Sequence, residues 1–271
     1  MIIELFGPPG AGKTTFAHAL TTRLRGNGRI VDLMLSYRPA ECLSPPAPRP
    51  SGPSVGRIAA VPRRLSRPLL EMLAIACHPL ALSHDIGAAA GLMKILPPRN
   101  MAVALRLSQY ILRLSHSWCR AAAVGHIVLF DQAFVQLICS LTMLGRSEDG
   151  SLMDRALDAS PRADLLICLG APPNTLAARL RDRGHKQSAI ERLLEPDLDT
   201  NLKSVRIIDQ LYRLLLDRGQ SIICASSLDQ QSLGQSVQAI EETLAARLDS
   251  ARDIATPARP RPASATGEAP A

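Results

Sequence analysis

The residues Gly7-Pro8-Pro9-Gly10-Ala11-Gly12-Lys13-Thr14 meet the Walker A pattern G-x-x-x-x-G-K-[ST] at every fixed position. These residue types suit one chemistry, the handling of phosphate. Glycines let backbone N–H groups converge on phosphate oxygens, and Lys13 is placed to reach the β- and γ-phosphates of a nucleotide. The Thr14 hydroxyl is placed to ligate Mg²⁺ bound to the same nucleotide, and Thr15 adds a hydroxyl near the α-phosphate. An ordinary tight turn with a surface lysine is the bland alternative. It is weakened by the scarcity of lysine, since Lys13, Lys94, Lys186 and Lys203 stand alone among many arginines.

Ile127-Val128-Leu129-Phe130-Asp131 is a second signal, an apolar run ending in an acid, the Walker B pattern. Alone it is weak, because apolar-then-Asp is common at strand ends. Behind a complete Walker A it predicts a carboxylate beside Mg²⁺, often reaching it through water. Arg179 and Arg183 lie four apart on one helix face and could clamp phosphates together, or simply complement the dipole at a helix end. Arg38, just past the second strand, is a candidate grip on an anionic acceptor. Asp32, mid-strand, reads equally well as an acceptor contact or as a partly buried carboxylate with its own partner.

These residues need elements to hold them. Ile2 to Phe6 reads as a buried strand delivering the loop, and Thr14 to Arg25 as a helix whose N-terminus adds its dipole. Arg29 to Ser36 reads as the second strand, Gly125 to Asp131 as a third, Asp164 to Gly170 as a fourth and Ser221 to Ala225 as the last. Between them the 3.6-residue spacing of apolar positions predicts helices at 69–77, 86–95, 101–123, 133–144, 151–157, 202–216 and 228–248. Pro172-Pro173 opens one more, which Gly184 is expected to stop. In the helix over 101–123, Val103, Leu107, Tyr110, Ile111, Leu114 and Trp118 share the core face, while Arg106, Gln109, Arg113, His116 and Arg120 line the other. The resulting fold class is α/β, a three-layer P-loop NTPase fold with a mostly parallel central sheet plus a helical and Pro-rich insertion.

The domain covers 1–250. Its residues 44–68, dense in proline, form a loop insertion that is either inert or a lid over the acceptor pocket; 69–123 form a helical acceptor-side region; 251–271 read as a disordered tail.

With Gly7–Thr14, Leu129-Phe130-Asp131-Gln132 and Arg179-Leu180-Arg181-Asp182-Arg183-Gly184 in view, the chain resembles the nucleoside/nucleotide kinase group of P-loop kinases, most of all the thymidylate kinase-like proteins. Asp164 to Gly170, the following Pro173, the helix before Tyr212 and the segment Ile222 to Ser227 are similar to that family's later half. The resemblance covers the start and the second half, roughly half the chain. It implies that Lys13 and the loop amides bind the donor phosphates of ATP, that Thr14 with Asp131 serves Mg²⁺, that Arg179 lies against the adenine, and that Arg183 reaches the transferring phosphoryl.

Two departures stand out. The family follows its Walker B acid with an arginine for the acceptor's phosphate, and here Gln132 follows; the serine and Ala-Tyr-Gln pattern downstream is replaced by Gln136 and Cys139-Ser140-Leu141. Loss of the arginine's positive charge weighs against a nucleoside monophosphate, so the expected acceptor is a small molecule left open among a nucleotide, a nucleoside and a sugar-like hydroxyl compound. The alternative activity is a nucleotide-dependent regulatory ATPase or switch; a structural protein with a relic loop is a third reading, opposed by the intact Lys13-Thr14 pair. No N-K-x-D guanine-reading motif occurs, which disfavours a GTPase, and no L-S-G-G-Q, which disfavours a transporter ATPase.

The net charge of +7 suits a phosphorylated ligand, but no basic patch is interleaved with aromatics, so nucleic acid is not an expected partner. The apolar stretch 69–96 is broken by Glu71, His78, Pro79, Asp85 and Lys94 and makes a poor membrane span. Cys42, Cys77, Cys119, Cys139, Cys168 and Cys224 show no C-x-x-C spacing and read as reduced core residues of a cytoplasmic protein. The expected partners are ATP and a small-molecule acceptor, and a homodimer is compatible with these features.

Overall fold

The computed structural model describes residues 1–36, 87, 90–186 and 198–255. In chain order its elements are β1 (Ile2–Phe6), α1 (Lys13–Gly26), β2 (Val31–Met34), α2 (Met101–Ala123), β3 (Ile127–Phe130), α3 (Phe134–Leu144), α4 (Gly150–Asp158), β4 (Leu165–Gly170), α5 (Pro173–Lys186), α6 (Leu198–Asp217), β5 (Ile222–Ser226) and α7 (Gln230–Ala255). Residue 87 and residues 90–95 are helical as well.

Among the described residues the strands form one parallel sheet in the order β2-β3-β1-β4-β5. β1 is central because it is apolar on both faces. Ile3 and Leu5 point to one side, where they meet Phe16, Leu20 and Leu24 of α1 and Ile240 and Leu244 of α7. Ile2 and Phe6 point to the other, into a cluster built from α2, α3, α4 and α6. β3 repeats the alternation, with Ile127 and Leu129 on the first side and Val128 and Phe130 on the second. The result is three layers, helix, sheet, helix. With few aromatics in the chain, Trp118 carries much of the contact between layers: it stacks on Phe130 at 5.2 Å between ring centroids and meets Phe134 edge-on at 5.2 Å.

The expected α/β class and all the strands within the described residues are present. Element ends differ. β2 is shorter than the expected 29–36: the Arg29 N–H closes the turn after α1 on the Leu24 carbonyl, and Leu35 and Ser36 lie beyond the strand's end at Met34. α5 runs past Gly184 to Lys186, since a single glycine only weakens a helix. α7 extends to Ala255, so the first residues of the expected tail are helical; no breaker occurs before Pro257. The Pro-rich stretch 44–68, the helix expected over 69–77 and the rest of the tail lie outside the described residues.

The cysteine reading needs correction. Cys139 is buried and Cys168 half-buried, but Cys119 and Cys224 are exposed. Cys224 lies on β5, an edge strand of the sheet, and Cys119 follows Trp118 onto the outer side of α2. All four are reduced; Cys42 and Cys77 lie outside the described residues. No helix among the described residues is long and apolar enough to cross a membrane.

Candidate active site

The site sits at the carboxyl ends of the strands, where β1 is flanked by β3 on one side and β4 on the other. In open α/β sheets this crevice receives ligands. Gly7 to Gly12 leave β1 as a loop that closes on itself through Ala11 N–H donating to the Pro8 carbonyl at 3.2 Å. Glycine is required at both ends of it. Gly7 has φ +150°, and a Cβ there would collide with the Leu169 carbonyl of β4. Gly12 has φ +90° and faces Ser227, whose hydroxyl donates to the Ala11 carbonyl at 2.6 Å. Gly12 caps α1 without any side-chain hydrogen bond, so the first-turn amides, which lack intrahelical acceptors, present a positive end to an anion.

Lys13 is buried, and its Nζ donates to the carbonyls of Gly7 at 2.6 Å and Pro8 at 3.1 Å. Its ammonium thus lies across the mouth of the loop. Thr14 Oγ1 donates to Asp131 Oδ2 at 3.1 Å, which brings the hydroxyl of one motif to the carboxylate of the other across 117 residues of sequence. Thr15 is exposed one residue further along α1.

Asp131 is fully buried at the end of β3. Burial pushes its carboxyl above the usual range, against the Ser36 N–H, the Thr14 and Ser36 hydroxyls and the Lys13 ammonium, which all pull it down. Ser36 holds the carboxylate from the β2 side, its N–H donating to Oδ1 at 2.5 Å and its hydroxyl lying 3.3 Å from Oδ2. Two hard oxygen donors, a hydroxyl and a buried carboxylate, fit one Mg²⁺ carried in by a nucleotide. Among the described residues there is no cluster of three or more His, Cys, Asp or Glu that would hold a metal by itself.

Arg179 closes the opposite wall. Its guanidinium donates to the Gly10 carbonyl at 3.1 Å and to those of Ser227 and Leu228 at 2.8 Å each, tying α5 to the loop and to the segment leaving β5. Three of its guanidinium N–H groups are thus engaged by backbone carbonyls. Arg38 and the side chain of Arg183 lie outside the described residues. Asp32 Oδ2 meets His126 Nε2 at 2.8 Å, so it has a partner of its own, but its side chain is exposed and not partly buried as expected.

Sequence reasoning missed Ser36 and Ser227 as site residues. Both are small hydroxyl residues at strand ends, and only the register of β2 on β3 and of β5 on β4 shows what they face.

The loop, the carboxylate and the parallel sheet together define a nucleotide-binding P-loop protein of the α/β class. No family model matches the chain. It is similar to thymidylate kinases: those of two strains of Xanthomonas campestris pv. campestris, B100 and 8004, are each 27% identical to it over 248 residues, covering 92% of this chain and 86% of theirs. That span is wider than the halves in which the resemblance is visible by motif. A solved structure of deoxyadenosine kinase from M. mycoides, with products dCMP and a flexible dCDP bound, matches with a TM-score of 0.50 at 13% identity, covering 91% of this chain and 100% of that one. The chain has the fold of a P-loop kinase.

Proposed function

We propose that this protein is an ATP- and Mg²⁺-dependent phosphotransferase of the nucleoside/nucleotide kinase group, moving the γ-phosphoryl of ATP to a small-molecule acceptor. The observation that carries the reading is the meeting of Thr14 and Asp131 at 3.1 Å beside the buried Lys13. The loop from Gly7 to Thr15 cradles the donor phosphates. On nucleotide entry Lys13 exchanges the Gly7 and Pro8 carbonyls for β- and γ-phosphate oxygens. Thr14 and Asp131 would hold a nucleotide-borne Mg²⁺, which would supply charge neutralisation to the phosphates. Arg179 supports the adenine side, and Arg183, on the same helix, supplies positive charge to the phosphoryl in flight.

The acceptor oxygen bonds to the γ-phosphorus as the bridging oxygen leaves with ADP. Asp131 to Ser140 contains no cationic residue, and Gln132 stands where the thymidylate kinase pattern has an arginine. This favours an acceptor that brings a neutral hydroxyl to the reaction over a nucleoside monophosphate.

The test is ADP release from ATP and Mg²⁺ with pooled nucleosides, nucleoside monophosphates and sugars, with Lys13→Ala as the blank. The reading predicts that the nucleoside or sugar pool raises turnover in the wild type alone. Turnover flat in every pool contradicts it.

A further inference from the structure

The first turns of α3 touch β1 at two places that the nucleotide motifs do not require. Glu4 projects from β1 toward the α3 side of the sheet and is buried there, and its Oε1 accepts the N–H groups of Val135 at 2.7 Å and Gln136 at 3.4 Å. Gln136, also buried, reaches the exit of the same strand, where its Oε1 accepts the Gly7 N–H at 3.2 Å. The Gly7 carbonyl accepts Lys13 Nζ at 2.6 Å. The residue that turns the chain from strand into loop is therefore gripped at both its amide and its carbonyl, in a place where a Cβ would collide with the Leu169 carbonyl of β4.

We propose that Gln136 is a positioning residue for the phosphate-binding loop, and this rests on the reading that the loop binds ATP. Asp131 follows β3 three residues before α3 begins, so the short segment from Asp131 into the first turn of α3 carries the metal-site carboxylate and, through Gln136, the entrance of the loop. The latch fixes the distance between them before any ligand arrives. The serine of the thymidylate kinase pattern at this place is two atoms too short to make it. Replacing the amide by an apolar chain of similar volume leaves the buried Gly7 N–H without an acceptor, and the loop gains freedom that nucleotide binding must then remove.

The test compares wild type, Gln136→Met and Gln136→Leu for affinity toward a fluorescent ATP analogue with Mg²⁺, together with melting temperature and hydrogen exchange at the Gly7 amide. The expected result is nucleotide binding weakened about 10-fold, faster exchange at Gly7 and a melting temperature within a few degrees of wild type. Unchanged affinity in folded variants overturns the proposal, and so does a loss of affinity matched by general loss of stability. If both variants fail to fold, exchange in the wild type decides, slow at Gly7 without nucleotide in support and fast against. A wild type that binds no nucleotide while Gly7 exchanges slowly defeats the kinase reading and leaves the latch standing.

Discussion

At the scale of single residues the account makes Asp131 the pivot of metal binding. Its carboxyl must lose its proton to take Mg²⁺, and burial has moved that loss upward from the usual carboxylate range. Apparent affinity for Mg²⁺ in the presence of ATP is therefore expected to weaken as pH falls, starting at a higher pH than an exposed aspartate would show. In Asp131→Asn the metal requirement rises and this pH dependence disappears; a titration of turnover against Mg²⁺ at several pH values checks both. Arg179→Ala separates two roles for that side chain. A wall on the adenine side predicts a KM for ATP raised about 10-fold with kcat little changed, whereas a phosphate clamp would lower kcat by about 10²-fold or more. The motif residues were legible in the sequence because their spacing is local: six positions separate Gly7 from Lys13, and one loop holds them. Ser36, Ser227 and the reach of Gln136 were not, because each touches its partner across the sheet and acquires meaning only from strand register.

At the scale of elements, β1 and α3 are joined by a buried acid. Burial pushes the Glu4 carboxyl from 4.5 up to about 8, against the pull of backbone N–H groups at the α3 N-terminus. The folded protein thus keeps a proton that the unfolded chain has already released, and the sign follows. Below about pH 4.5 Glu4 costs nothing; between there and about pH 8 stability declines with rising pH, by at most about 1.4 kcal/mol per unit; above that the loss is constant. Glu4→Gln keeps an oxygen for the Val135 N–H and cannot ionise. Denaturant melts at pH 6 and pH 9 are expected to show a smaller decline in the variant than in wild type, and equal declines would contradict this. Glu4 was invisible as a special residue in the sequence, where it reads as one polar interruption of an apolar strand. The extension of α5 past Gly184 was equally hidden, since what ends a helix is the packing beyond it as much as the residue inside it.

At the scale of the whole molecule, the sheet order puts β1 at the centre, with α1 and α7 on one face and α2, α3, α4 and α6 on the other. The three-layer class with a mostly parallel sheet was readable from buried apolar runs separated by helical periods, because both faces of a parallel sheet must be covered; the strand order and the helices on each face were not. A ligand that binds this crevice and not the unfolded chain stabilises the fold by about 2.7 kcal/mol at one hundred times its Kd. ATP with Mg²⁺ is expected to raise the melting temperature of the wild type by several degrees and that of Lys13→Ala by much less, which a thermal shift series reads directly.

The central claim is transfer of a phosphoryl group to an acceptor other than water. The measurement that tests it most directly follows the label of γ-³²P ATP through a single turnover with nucleoside and sugar pools, separating labelled products from inorganic phosphate. The account predicts a new labelled organic phosphate, formed in step with ADP and absent with Lys13→Ala. Label found wholly in inorganic phosphate, or left wholly in ATP, whatever pool is present, would contradict it.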